Sequence, residues 1–166
     1  MERHRSLILS MMNYEKGCPQ RIQHFLKVLS FSELIAQMEG LDGNTQEVLK
    51  SAAVVHDIGI RPSLKRYGSS AGQYQQLEGP PLARSLLEIL GYDEKVIERV
   101  CYLVGHHHSY DEIDGEDYQI LVEADFLVNI YEGDMKVDAI RAVRDNIFRT
   151  DSGKFIFDRL YPVNDQ

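Results

Sequence analysis

Cysteine is scarce. Only Cys18 and Cys101 occur in 166 residues, and no Cys-x-x-Cys pair is present. That argues against a thiolate zinc site and against a disulfide framework; two thiols in a chain long enough to bury a real core read as reduced, cytosolic residues. Positive charge is also in deficit, with 18 Lys and Arg against 26 acidic residues and a net charge of -8. A general nucleic-acid binder needs a basic face, so that class is set aside, whereas an anionic small substrate is compatible because a bound metal dominates its local field. Long apolar runs are missing too. The stretch Leu7 to Met12 is about six residues, too short for a signal-peptide core or a bilayer span, and the expectation is a cytoplasmic protein with no membrane association. Gly68-Ser69-Ser70-Ala71-Gly72 lacks the Gly-Lys-Ser/Thr ending of a phosphate-binding loop. Low-complexity tracts, internal repeats and runs alternating at period two are likewise absent.

What is present repeats at helical period. Leu7, Ile8, Met11 and Met12 mark a first short amphipathic helix. Pro19 suits the opening turn of a second, whose stripe runs through Ile22, Phe25, Leu26, Leu29, Leu34, Ile35 and Met38 to Gly40. Asn44 or Thr45 is placed to cap a third, which runs through Val48, Leu49 and Ala52 into His56. Residues 61–73, with Pro62, Gly68 and Gly72, read as one long loop, a feature more often functional than idle in a compact domain. Gly79-Pro80-Pro81 then precedes a helix with Leu82, Leu86, Leu87 and Leu90. Further helices carry Val96 to Val104, Ile120 to Tyr131, Val137 to Ile147 and Phe155 to Tyr161. The fold expected is all-α: one domain over 1–166, about seven helices, a core of about 18–135 and a helical extension over 136–161.

The polar residues on these apolar stripes are the anomaly. His24 sits among Ile22, Phe25 and Leu26; His56-Asp57 closes the run Ala52-Ala53-Val54-Val55; Asp125 lies within Leu121-Val122-Glu123-Ala124-Asp125-Phe126-Leu127-Val128. A buried carboxylate without a partner costs several kcal/mol, so such groups are paired or metal-bound. Singly, each has an ordinary reading as a structural histidine or an ion-pair partner. Imidazole and carboxylate are also good ligands for divalent transition metals, and the set as a whole points that way.

The order His24, His56-Asp57, Asp125, with Arg21-Ile22-Gln23-His24, Val55-His56-Asp57-Ile58-Gly59 and Glu123-Ala124-Asp125 around them, resembles the HD-domain superfamily of metal-dependent phosphohydrolases. The likeness spans about Arg21 to Tyr131. It implies an all-helical fold in which His24, His56, Asp57 and Asp125 bind one divalent metal. His106-His107-His108 resembles the additional ligands of the binuclear branch. Consecutive helical residues diverge by about 100°, so His106 and His107 are favoured and His108 is held in reserve. Where that branch has a further histidine, this chain has Leu77-Glu78-Gly79-Pro80, which makes Glu78 the candidate. The exchange leaves the ion count at one or two and the metal open among Fe, Mn, Ni, Co, Zn and Mg.

The function so implied is hydrolysis of a phosphate ester, from a nucleotide or another small phosphorylated molecule, by a metal-activated water. Asp57 takes the central catalytic position, bridging two ions where two are bound. Lys65 and Arg66 follow on a locally basic segment and are candidate phosphate contacts; the alternative is an ordinary charged surface. Two other readings share the scaffold: a diiron oxygenase, and a non-catalytic regulatory or ligand-binding module, against which the intact set of four ligands argues. Homo-oligomerisation is left open.

Overall fold

In the computed structural model the described residues, 2–162, form nine α-helices and one 3-10 turn, and no strand occurs among them. In chain order these are α1 (Glu2–Tyr14), α2 (Pro19–Glu39), α3 (Gly43–Val55), α4 (Ile60–Tyr67), α5 (Gly72–Ile89), α6 (Glu94–His106), the 3-10 turn (Tyr110–Glu112), α7 (Glu116–Glu132), α8 (Val137–Asn146) and α9 (Asp151–Leu160). The expected all-α class holds, with nine helices where about seven were anticipated. No helix among the described residues is long and apolar enough to cross a membrane.

Helix α3 runs through the middle. Leu49 and the run Ala52 to Val55 have no exposed surface, and α3 packs against α1, α2, α6 and α7. A helical stretch apolar on every side, as Ala52 to Val55 is, belongs in the interior. Helix α7 is nearly as enclosed, with Ile120, Leu121, Ala124 and Leu127 buried. Helix α2 lies on both α3 and α7. It opens on Pro19 and closes on Gly40, whose φ of 75° is the left-handed conformation that suits glycine. The cap of α3 falls two residues before Asn44, the nearer of the two expected positions: Asp42 accepts from the Asn44 and Thr45 amides at 2.8 and 3.1 Å.

The segment 61–73 is not one long loop. Ile60–Tyr67 is helix α4, closed by Gly68 at φ 67°, and only residues 68–71 connect it to α5. Pro62 falls in the first turn of α4, where a helix does not need its N–H. Pro80 and Pro81 lie inside α5 rather than ahead of it. They forfeit two intrahelical bonds, and the packing of α5 against α4 and α6 overrides that loss.

Close backbone approach fixes α5. A Cβ on Gly59, in the turn after His56-Asp57, would stand 2.6 Å from Gln75 O and 2.9 Å from Gly79 N; one on Gly79 would meet Val104 Cγ1 at 2.7 Å. Glycine at these points lets α5 sit between the end of α3 and helix α6. The acidic segment after the histidine triplet is held by Arg99 of α6, which forms forked hydrogen bonds with Asp114 and Asp117 at 2.7 to 2.9 Å and so ties α6 to the start of α7.

The C-terminal helices are anchored on a buried carboxylate. Glu123 of α7 has no exposed surface. Its Oε1 accepts from the Arg149 and Thr150 amides at 2.6 and 2.9 Å and from Gln119 at 2.8 Å, and its Oε2 accepts from the Thr150 hydroxyl. The Thr150 oxygen in turn caps α9 through the Gly153 amide. Glu39 of α2 accepts from the Ser152 amide at 2.8 Å, so two carboxylates meet the N-terminus of α9, where the helix dipole favours them.

Two outcomes test this architecture. Gly59→Ala sets a methyl against backbone atoms that have no rotamer to yield, and lowers unfolding stability by about 1–3 kcal/mol in denaturant titration. Glu123→Ala strands the Arg149 and Thr150 amides in the interior and costs about 3 kcal/mol; limited proteolysis then cuts between α8 and α9 before the rest of the chain.

Candidate metal centre

Four helices deliver the polar residues to one place. His24 comes from the first half of α2, His56 and Asp57 from the C-terminal end of α3, His107 and His108 from the end of α6, and Asp125 from the middle of α7. His24, His56, His107 and Asp125 are all buried, His56 completely.

His24 Nε2 lies 3.2 Å from His56 Nε2, 3.1 Å from Asp125 Oδ1 and 3.5 Å from Asp57 Oδ2. His56 Nε2 is 3.5 Å from Asp57 Oδ2 and 3.6 Å from Asp125 Oδ1. The other oxygen of Asp57 faces the opposite way, 3.7 Å from His107 Nε2. Ligand-type atoms of His24, His56 and Asp57 fall within 4.8 Å of one another, and so do those of Asp57, His107 and His108. Asp57 belongs to both groups.

The outer ring nitrogens explain the orientation. His56 Nδ1 is 2.9 Å from Ala53 O, and His107 Nδ1 is 2.9 Å from Val104 O. A carbonyl only accepts, so each Nδ1 carries the proton and each Nε2 lone pair points inward. His24 Nδ1 is likewise 2.8 Å from Glu132 Oε2. With the rings neutral, the inward-facing atoms are therefore all acceptors: imidazole Nε2 and carboxylate oxygen. Nδ1 anchored to an outer acceptor with Nε2 free is the arrangement of metal-binding histidine. The Nε2 atoms of His107 and His108 are buried and have no hydrogen-bond partner.

Acceptors this close attract positive charge. Burial pushes the His56 imidazole down, but the Asp57 charge and the Asp125 hydrogen bond outweigh it, leaving its pKa raised to about 9. His24 is opposed by burial as well, and its bond to Asp125 together with the Asp57 charge lifts it above the ordinary value. Burial raises Asp57 and Asp125, yet their imidazole neighbours hold both below the usual carboxylate range. His108 goes the other way: burial and the charge of His107 push it down to about 4. Protons on His24 and His56 satisfy the cluster, and a divalent cation satisfies it at the same atoms.

Of the triplet, the structure joins His107 to His108, where His106 and His107 were expected. Helix α6 ends at His106, so the 100° helical step no longer separates the next two residues, and their rings approach to 4.0 Å. His106 turns aside: its Nδ1 is 2.7 Å from Tyr102 O, its ring stacks on Tyr102 at 4.1 Å, and it joins neither group. Glu78 stands outside both groups as well, accepting from Arg66 at 2.9 Å and the Tyr67 hydroxyl at 2.8 Å. Lys65 and Arg66 occupy the exposed last turn of α4. Glu132 was not anticipated. It lies seven residues after Asp125, hence on the same face of α7, and that spacing was the available signal. A groove of about 600 Å³, lined by Asn44, Glu47, Asp93 and Lys95 among others, contains no imidazole and shares no residue with this cluster.

Fold and cluster together define an all-helical domain with a His/Asp cluster that could hold a metal ion. The HD domain family matches residues 21–143, and the chain belongs to that family. A solved structure of a predicted HD superfamily hydrolase from an uncultured Thermotogales bacterium is similar to this chain at 23% identity, with a TM-score of 0.67 over 95% of this chain and 84% of that one. That likeness is one of fold. No curated protein matches the chain.

A cation that occupies the cluster stabilises the folded state by mass action. Mn(II) or Co(II) at about 100 times its dissociation constant adds about 2.7 kcal/mol, read as a rise in Tm. Asp57→Asn removes most of that rise; an unchanged rise in this variant would place the ion elsewhere.

Proposed function

We propose that this protein is a metal-dependent phosphohydrolase acting on a phosphate ester of a nucleotide or another small molecule. The observation that carries the reading is Asp57, whose two oxygens are divided between two groups of inward-facing histidines. His24, His56, Asp57 and Asp125 would hold one divalent ion; Asp57, His107 and His108 would supply ligands to a second. When bound, such ions lower the pKa of water and offset the charge that grows on phosphoryl oxygens.

The chain's own residues do the rest. Ala53 O, Val104 O and Glu132 fix the ring orientation of His56, His107 and His24, so their lone pairs are aimed before any ligand arrives. His108, with its pKa near 4, is neutral at neutral pH and available as a donor ligand. Asp57, held as a carboxylate, offers one oxygen to each side. Lys65 is exposed and forms no ion pair among the described residues, so it is free to meet a phosphate. Arg66 is engaged with Glu78 and reaches a phosphate only by leaving that partner. The HD membership and the ligand chemistry support this assignment; the fold likeness to the Thermotogales hydrolase is consistent with it.

The test is a screen of phosphate monoesters, nucleotides among them, with protein reconstituted in turn with Mn(II), Co(II), Fe(II), Ni(II), Zn(II) and Mg(II). Phosphate release is expected with at least one metal. Asp57→Asn lowers that rate by about 1000-fold while the far-ultraviolet circular dichroism stays helical. Undiminished phosphate release in Asp57→Asn would refute the assignment.

A further inference from the structure

His24, His56 and His107 each have an outer nitrogen held by an acceptor, and they are held in two different ways. His56 and His107 bond to backbone carbonyls, Ala53 O and Val104 O, which no side-chain replacement removes. His24 alone among the three is held by a side chain, the carboxylate of Glu132, at 2.8 Å. The second oxygen of Glu132 pairs with Lys27 Nζ. Lys27 lies three residues after His24 on α2, and Glu132 lies seven residues after Asp125 on α7, so each helix sets two of these groups on one face. The result is a chain of contacts across the α2–α7 crossing: Asp125, His24, Glu132, Lys27.

A carboxylate is a stronger acceptor than a carbonyl. It draws the Nδ1 proton outward and leaves Nε2 the better donor to a metal. We propose that Glu132 is the positioning residue of the metal centre: through His24 it sets the orientation and the ligand strength of the one imidazole whose outer partner can be tuned, and Lys27 fixes the carboxylate for that task. This rests on the reading that His24 binds metal. Glu132 itself is placed too far out to be a ligand, since its oxygen faces the outer nitrogen of the ring.

The test uses Co(II), whose visible spectrum reports ligand geometry. Co(II) affinity and spectrum are measured by titration for the unaltered protein, Glu132→Ala, Glu132→Gln, His24→Ala and the double variant His24→Ala/Glu132→Ala. Glu132→Ala weakens Co(II) binding by about 10- to 100-fold and shifts the visible bands. Glu132→Gln retains an oxygen acceptor for Nδ1–H, so it recovers most of the affinity and keeps a folded comparator if the alanine variant is unstable. In the His24→Ala background, Glu132→Ala lowers affinity no further. Wild-type affinity and bands in Glu132→Ala would overturn the proposal and leave the metal assignment standing, as would an additional loss in the double variant. Failure of the unaltered protein to bind Co(II) would overturn both together.

Discussion

Asp57 carries the constraint on which the remainder depends. A carboxylate at the end of a buried helix is costly unless cations or donors meet it, and here it is met from two sides, by His24 and His56 on one oxygen and His107 on the other. Satisfying it requires the ends of α3 and α6 and the faces of α2 and α7 to converge within a few ångströms. The apolar surfaces of those helices make the convergence stable: the last turn of α3, Ala52 to Val55, is enclosed on every side, and α2, α6 and α7 pack on the helix. Hydrophobic burial thus assembles a set of mutually repelling acceptors, and positive charge at their centre relieves the repulsion.

The other polar features of the fold read as restraints on that assembly. Arg99 binds Asp114 and Asp117 and ties the end of the acidic segment to α6, the helix that His107 and His108 follow. Glycine at positions 59 and 79 admits α5 against the turn that follows Asp57. A Cβ on Gly72, at the start of α5, would strike the His108 ring at 2.7 Å, so the same helix also backs the group formed by Asp57, His107 and His108. Glu123, two residues before Asp125, uses its buried carboxylate to anchor α9 rather than to face the cluster. Successive helical residues point about 100° apart, which lets one stretch of α7 serve both purposes.

Much of the centre was legible in the chain. His24, His56, Asp57 and Asp125 stood out because each interrupts an apolar stripe, and helical periodicity persists through to the folded state. What was not legible depended on where helices stop. Glycine and proline around Arg61 to Gln73 suggested a loop, yet they punctuate the ends of α4 and the start of α5. The pairing of His107 with His108 follows from α6 ending at His106. Glu78 resembled a replacement ligand in the linear order, but it is drawn to Arg66 and Tyr67 on the preceding helix.

By itself, then, the sequence determined the helical class and pointed to His24, His56, Asp57 and Asp125 as the polar groups out of place on apolar stripes, because amphipathic period and residue chemistry are local properties. Only the tertiary structure decided that Asp57 serves two groups, that His108 displaces His106, and that Glu132 stands behind His24. These are relations between helices, set by packing and by the point at which each helix ends, and no local spacing encodes them.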